Sequence, residues 1–394
     1  MNSKSYLKEL ICSQCGKSYS SDTVQTFCHE CVAPLQAVYD LDRARAELDR
    51  EEFRRRNKGM WRWSELLPVQ NETNCLTLGE GDTPLLKQTR LGETLDLPRL
   101  WVKEEGVNPT GSFKARGLAA AVSKAGELGI HNLVIPTAGN AGGALAAYAA
   151  RGGLKAHIIM PSDTPLANSQ ECRITGATVE FVDGLISDAA KIAGRMAQEE
   201  GFFDVSTFKE PYRLEGKKVL GYELAEAFNW ELPDVIIYPT GGGTGLIGMW
   251  KAFAELEQLG WLKNTKRPRM VSVQAAGCAP VVKAFENGDF YCEFWEDAET
   301  IASGLRVPKS FADRLIMQCL YDSQGMAMAV SDAEIQQAQQ EWGNLEGLFT
   351  CPEGAATLAA LKKLLSPGSF GDHPWIQAEE HVVLFNTATG LKYI

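Results

Sequence analysis

The chain reads as an α/β protein built on parallel sheets and preceded by a small cysteine-rich module. Three observations carry this reading. Beyond about Trp61, short β-rich runs alternate with alanine-rich runs of helical length. Glycine clusters follow several of the expected strands, and the first forty residues hold two Cys-x-x-Cys pairs. Strand–helix alternation builds parallel sheets with helices on their faces, and such sheets bind ligands beyond the carboxyl ends of their strands.

In chain order, Cys12-x-x-Cys15 and Cys28-x-x-Cys31 come first, separated by twelve residues. Each pair can wrap one ion with two thiolates, and four soft ligands leave no open position. The spacing therefore predicts a structural Zn²⁺ site, with iron as the less frequent occupant. The plain alternative is four reduced thiols, and a redox pair fits less well because neither pair opens a helix after a strand. Lys4, Lys8 and Lys17 make a thin basic surface for a nucleic-acid ribbon. The charged stretch from Asp40 to Lys58 carries Leu41, Ala44, Leu48 and Phe53 among its charges, which predicts a surface helix or helical linker. Strands follow at Leu100–Lys103, Asn132–Ile135, Ala156–Met160, Thr178–Val182, Asp234–Tyr238, Met270–Gln274 and Val382–Asn386. Helices are expected at Leu118–Leu128, Ala141–Arg151, Ala167–Thr175, Ile186–Glu200 and Leu246–Leu259. The other cysteines (Cys75, Cys172, Cys278, Cys292, Cys319, Cys351) are scattered and read as small core residues or partly exposed thiols.

A length of 394 residues, 45% of them hydrophobic, suggests two or three domains with substantial cores. The net charge of −11 argues against nucleic acid or an anionic membrane as the main partner, since both need clustered positive charge. A small anionic substrate needs only a local patch and stays open. No apolar run reaches the ~18 residues of a membrane span, and Met1 to Leu10 lacks the apolar core of a secretory signal. A cytoplasmic location is expected.

Three segments carry chemistry. Asn108-Pro109-Thr110-Gly111-Ser112-Phe113-Lys114 reads as a loop entering a helix, with Ser112 as its expected N-cap. Lys114 then falls in the first helical turn, where the helix dipole disfavours a cation and favours the neutral amine of Schiff-base chemistry. An ordinary solvated lysine is the alternative. Thr137-Ala138-Gly139-Asn140-Ala141-Gly142-Gly143 opens a helix whose free N–H groups can hold a carboxylate, or is simply a tight strand–helix turn. Pro239-Thr240-Gly241-Gly242-Gly243-Thr244-Gly245 has the makings of a phosphate cradle from backbone N–H groups and the hydroxyls of Thr240 or Thr244. Its tail also fits Gly-x-Gly-x-x-Gly, but the next strand runs into Ala275-Ala276-Gly277 and lacks the ribose-binding acid of a nicotinamide site. No GxxxxGK[ST] is present.

Together these segments resemble the pyridoxal-phosphate enzymes of fold type II, the tryptophan synthase β family, and within it the threonine synthases. The resemblance runs over nearly the whole chain. Beside the cysteine pairs it rests on Leu78-Gly79-Glu80-Gly81-Asp82-Thr83-Pro84-Leu85, on Asn108–Gly117, on Arg213-Leu214-Glu215-Gly216-Lys217-Lys218 and on Asn386-Thr387-Ala388-Thr389-Gly390-Leu391-Lys392. It implies two parallel-sheet α/β domains, a larger one (61–117 and 219–394) and a smaller mobile one (118–218). Ahead of them it implies a four-cysteine module of zinc-ribbon type (1–39) and a charged helical linker (40–60). It implies that Lys114 holds pyridoxal phosphate covalently and moves protons. Asn140 would bond the cofactor's phenolic oxygen, Gly241, Gly242, Gly243, Thr244 and Gly245 its phosphate, and Thr387 would face the ring nitrogen. Thr137, Gly139 and Asn140 would bind the substrate carboxylate. Arg116, Arg213, Lys217 and Lys218 are candidates for a substrate phosphate, two of them being expected to lie exposed.

The implied reaction converts O-phosphohomoserine and water to threonine and phosphate, by γ-elimination and β-addition, in a homodimer. Ala115, Ala138 and Val219 depart from the usual threonine synthase pattern and leave the substrate open. A threonine or serine ammonia-lyase and a β-replacement enzyme such as a cysteate synthase are the alternatives. A non-catalytic binding protein and a nicotinamide dehydrogenase stand further off.

Overall fold

A computed structural model describes residues 5–366 and 375–394; Lys4 lies outside them. The chain opens with β1 (Leu7–Cys12), β2 (Ser18–Tyr19), β3 (Phe27–Cys28) and β4 (Ala33–Tyr39), then α1 (Leu41–Glu47) and α2 (Arg50–Arg55). Next come β5 (Leu85–Lys87), α3 (Thr89–Thr94), β6 (Leu100–Glu104), α4 (Lys114–Glu127), β7 (Asn132–Pro136) and α5 (Asn140–Gly152). The alternation continues with β8 (Lys155–Pro161), α6 (Leu166–Ile174), β9 (Thr178–Val182), α7 (Ile186–Glu199), β10 (Phe203–Asp204) and α8 (Tyr212–Ala227). The last part holds β11 (Val235–Pro239), α9 (Thr244–Gln258), β12 (Arg269–Ala275), α10 (Pro280–Asn287) and α11 (Asp313–Asp322). It closes with β13 (Met326–Val330), α12 (Asp332–Glu346), α13 (Pro352–Leu365) and β14 (Val382–Asn386).

The described chain divides into two compact units. One comprises the chain up to Asp82, Asn108–Leu220 and Ala254–Trp261; the other comprises Thr83–Val107, Gly221–Phe253 and the chain from Leu262.

The first unit has two sheets. The cysteine-rich segment forms an antiparallel sheet in the order β2-β1-β4-β3. Strand β4 turns most of its side chains inward, and Leu7, Leu10, Leu35, Ala37 and Tyr39 pack with Ala121 of α4 and Tyr212 of α8. The second sheet is wholly parallel, in the order β10-β7-β8-β9. The charged stretch is two short helices rather than one. Asp40 and Asp49 accept the N–H groups of Arg43 and Glu51 as N-caps, and Leu48 between them is extended. Phe53 is fully buried and stacks on Trp63 with ring centroids 4.9 Å apart.

The second unit is a six-stranded sheet in the order β13-β12-β11-β14-β6-β5, parallel except for the edge strand β5. Its central strands β11 and β14 are buried along their whole length, so they read as continuous apolar runs rather than alternating ones. Helix α13, with Ala355, Ala356, Leu358, Ala359 and Leu361, fills the core beside Val235, Ile237, Val382 and Leu384. Among the described residues no helix is long and apolar enough to cross a membrane.

Candidate active site

Lys114 is the first residue of α4. Phe113 precedes it in helical conformation and makes no side-chain cap bond, so the expected N-cap at Ser112 is not formed. The Ser112 hydroxyl is buried with no hydrogen-bond partner among the described residues. The Lys114 ammonium lies 3.9 Å from the centre of the Phe113 ring, and Lys217 approaches the same ring at 4.4 Å. The loop ahead of the lysine is tied to the Leu78–Leu85 segment, because Asn108 Oδ1 accepts the Gly81 N–H at 3.2 Å. Glu80, fully buried in that segment, accepts the Tyr148 hydroxyl of α5 and the Leu78 N–H. The sequence marked this segment as a motif without assigning it a task; its carboxylate pins the lysine loop's neighbour to α5, the helix that follows the Thr137–Gly139 turn.

Helices α4 and α8 meet backbone to backbone. A Cβ on Gly216 would lie 2.0 Å from the Arg116 carbonyl oxygen, and one on Gly117 would lie 2.8 Å from the Lys217 ammonium. All four candidate cations are buried, Arg116, Lys217 and Lys218 at 0% exposure and Arg213 at 2%. The expectation that two would be exposed fails because α8 is enclosed on every side from Tyr212 to Ala225. Lys218 is committed to Glu215 at 2.8 Å and Glu255 at 3.0 Å, with the Tyr39 ring 3.7 Å away. Arg213 donates to the Val205 carbonyl at 2.6 Å, and its Nε has no hydrogen-bond partner among the described residues. Glu210 caps α8 by accepting the N–H groups of Tyr212 and Arg213, and burial pushes its pKa up to about 7.

The turn after β7 places Thr137, Gly139 and Asn140 at the start of α5. The Thr137 hydroxyl accepts the Gly139 N–H at 3.2 Å, which closes the turn, and Asn140 is the first helical residue. These residues, with Lys114, Arg116 and Arg213, belong to the first unit.

In the second unit the glycine run follows β11 and enters α9. The N–H groups of Gly241 to Gly245 have no backbone acceptor among the described residues, as expected for the first donors of a helix. Gly243 adopts φ +84°, and a Cβ on Gly241 would meet the Gly304 carbonyl oxygen at 2.4 Å. Thr244 is the first residue of α9, whereas Thr240 turns its hydroxyl back to the Tyr238 carbonyl at 3.1 Å. Such a ring of free donors at the start of a 15-residue helix suits a phosphate monoester. Because β14 pairs parallel with β11, Thr387 leaves the sheet at the same edge as this loop. Thr387 is buried, and its Oγ1 lies 3.6 Å from Cys351 Sγ. Asn386 beside it donates to both oxygens of Glu104, at 2.8 and 2.9 Å. Burial pushes the Glu104 pKa up, against the lowering by Asn386 and the Gly106 N–H.

The four cysteine sulfurs at positions 12, 15, 28 and 31 lie within 4.8 Å of one another. A tetrahedral zinc with Zn–S near 2.3 Å needs sulfurs about 3.8 Å apart, so the cluster fits that ion with little closing. The Tyr19 hydroxyl donates to Cys28 Sγ at 3.2 Å and is the largest influence lowering that thiol's pKa to about 6. Of the other cysteines, Cys75 is half-buried and the remaining five are buried.

The pyridoxal-phosphate dependent enzyme family matches residues 76–387. The chain is 35% identical to a threonine synthase of Methanocaldococcus jannaschii over 97% of its own length and 92% of the relative's. It is 34% identical, with the same two shares, to a threonine synthase of Methanosarcina acetivorans. Among solved structures, maize serine racemase superimposes with a TM-score of 0.65 at 22% identity, over 78% of this chain and 88% of that one, which shows the shared fold. With its lysine at a helix start, its glycine run beside β14 and this run of relatives, the chain belongs to the pyridoxal-phosphate dependent enzymes of fold type II, as a lyase of the threonine synthase kind.

Proposed function

We propose that the chain is a threonine synthase, converting O-phosphohomoserine and water to threonine and inorganic phosphate. One observation carries the reading beyond its relatives: the backbone contact of α4 and α8 sets buried cations beside the helical turn that begins with Lys114. A substrate with both a carboxylate and a phosphate needs such cations, whereas a free serine or threonine does not. Lys218 is already engaged by two carboxylates, whereas the Arg213 guanidinium keeps an Nε without a hydrogen-bond partner among the described residues, so Arg213 is the proposed phosphate ligand, with Arg116 and Lys217 on the same wall.

In this reading Lys114 holds the cofactor and moves the protons at Cα and Cβ of the substrate. Gly241, Gly242, Gly243, Thr244 and Gly245 hold the cofactor's phosphate, Asn140 its phenolic oxygen, and Thr387 meets its ring nitrogen. Thr137, Gly139 and Asn140 orient the substrate carboxylate. Bound there, the cofactor supplies an electron sink for the charge that develops on the substrate carbons. The four-cysteine cluster holds one structural Zn²⁺. The enzyme is a cytoplasmic homodimer, and its acidic charge of −11 suits a small-molecule partner rather than nucleic acid.

The test incubates the loaded protein with O-phosphohomoserine. Phosphate and threonine should appear in equal amounts, and Lys114→Ala should lower the rate about 10³-fold or more. Ammonia and a 2-oxo acid from free threonine or serine, with no phosphate released, would instead establish an ammonia-lyase. The buried apolar side chain of Ala115, where threonine synthases commonly carry an acid, favours that second reading.

A further inference from the structure

We propose that Cys351 is a positioning residue for Thr387, its thiol fixing the Thr387 hydroxyl as a hydrogen-bond donor to the ring nitrogen of the cofactor. The inference rests on the reading that Thr387 faces that nitrogen.

A threonine hydroxyl has one proton and two lone pairs, so beside a ring nitrogen it can present either. Its neighbours decide which. Among the described residues the Thr387 hydroxyl has one side-chain neighbour at hydrogen-bonding distance, Cys351 Sγ at 3.6 Å. The sulfur is itself held in place. Cys351 is the N-cap of α13, its Sγ accepts the Gly354 N–H at 3.2 Å, and its own N–H donates to Asn386 Oδ1 at 3.2 Å. The Asn386 amide is oriented without ambiguity, because its Nδ2 donates to both Glu104 oxygens. Its Oδ1 therefore faces Cys351 as an acceptor, 3.5 Å from the sulfur.

The thiol has two geometric hydrogen-bond partners, Asn386 Oδ1 and Thr387 Oγ1, and the Glu353 carboxylate stands near it as well. An aromatic ring nitrogen arriving beside Thr387 takes the hydroxyl proton in a hydrogen bond. That polarises Oγ1 into a better acceptor, and the thiol proton turns to it. The result is a neutral relay from thiol to hydroxyl to nitrogen. Burial raises the Cys351 pKa, so the thiol keeps its proton. Of the nearby carboxylates, Glu104 is engaged by Asn386 and the Gly106 N–H, and Glu353 accepts the Gly304 N–H and raises the thiol pKa further.

The test compares Cys351→Ala, Cys351→Ser, Thr387→Val and the Ala/Val double variant in full-length, cofactor-loaded protein. The readouts are the cofactor absorbance band, the cofactor dissociation constant and Tm. Thr387→Val should move the band and weaken cofactor binding about tenfold. Cys351→Ala should move the band the same way and weaken binding about threefold, and Cys351→Ser, which keeps a donor and an acceptor, should restore both. The double variant should be no worse than Thr387→Val. A normal band and affinity in Cys351→Ala, beside an altered Thr387→Val, would overturn the inference alone. So would a lowered Tm with an unmoved band, which marks a helix cap and nothing more. An unaltered band in Thr387→Val would remove the underlying placement of Thr387, and the inference with it.

Discussion

Glu210 meets two demands with one carboxylate. It satisfies the first N–H groups of α8, which favours its charged form, and it is 1% exposed, which disfavours it. Burial wins over Arg213, Lys217 and the two N–H groups, and the pKa rises from the ordinary 4.5 to about 7. The folded state therefore binds this proton more tightly than the unfolded chain does. The stabilisation is complete below about pH 4.5 and is lost as pH rises through about 7. A shift of that size is worth about 3 kcal/mol. Glu210→Gln keeps an acceptor for the helix start and does not titrate. Its Tm should gain on that of the unsubstituted protein as both are taken from about pH 5 to about pH 8. Parallel Tm–pH curves would show that Glu210 does not titrate in this range.

At the scale of elements, the joint of α4 and α8 is where two motifs of the sequence become one structure. Alanine normally helps a helix interior by about 1 kcal/mol over glycine. Gly216→Ala should do the opposite, because its Cβ would meet the Arg116 carbonyl oxygen, a backbone atom that cannot swing aside. The overlap should outweigh the propensity gain and destabilise the protein by about 3 kcal/mol, with loss of cofactor retention. A urea midpoint equal to that of the unsubstituted protein would mean the helices do not touch there. Neither this contact nor the burial of the four cations could be read from the sequence, since a charged residue type does not announce its exposure. The parallel strands β6, β7, β8, β9, β11, β12 and β14 could be read, and several match within a residue, because buried central strands are unbroken apolar runs; the two-residue β10 could not. Strand β5, three residues on an antiparallel edge, and β13, whose Met-Ala alternation has few β-branched side chains, could not. The glycine run was legible for a related reason: a loop that must leave its N–H groups free needs glycine at several positions, whereas Cys351 looked like any scattered thiol.

At the scale of the molecule, the four-cysteine module is joined to the lysine helix by a shared core. Cys12 and Cys28, two of the four expected ligands, sit in one hydrophobic cluster with Ala121 of α4 and Tyr212 of α8. Ala121 lies seven residues beyond Lys114, two helical turns and about 10 Å along the axis. Without an ion the crowded sulfurs take up protons and the bonds that would tie the two cysteine pairs together are lost, so removing a zinc held there should loosen β1 to β4 first. The loosening should pass through the shared cluster into α4, which then loses the packing that supports its first turn. The six-stranded sheet belongs to the other unit and has its own core around Ile237, Leu384 and Leu361. Treatment with a chelator should therefore release one metal ion per chain and lower Tm. It should also speed amide exchange in residues 7–39 and 114–127, while β11, β12 and β14 stay protected. Uniform loss of protection in both units would mean that the metal holds the whole fold. Unchanged exchange in 114–127 would mean that the module folds apart from the helix it touches.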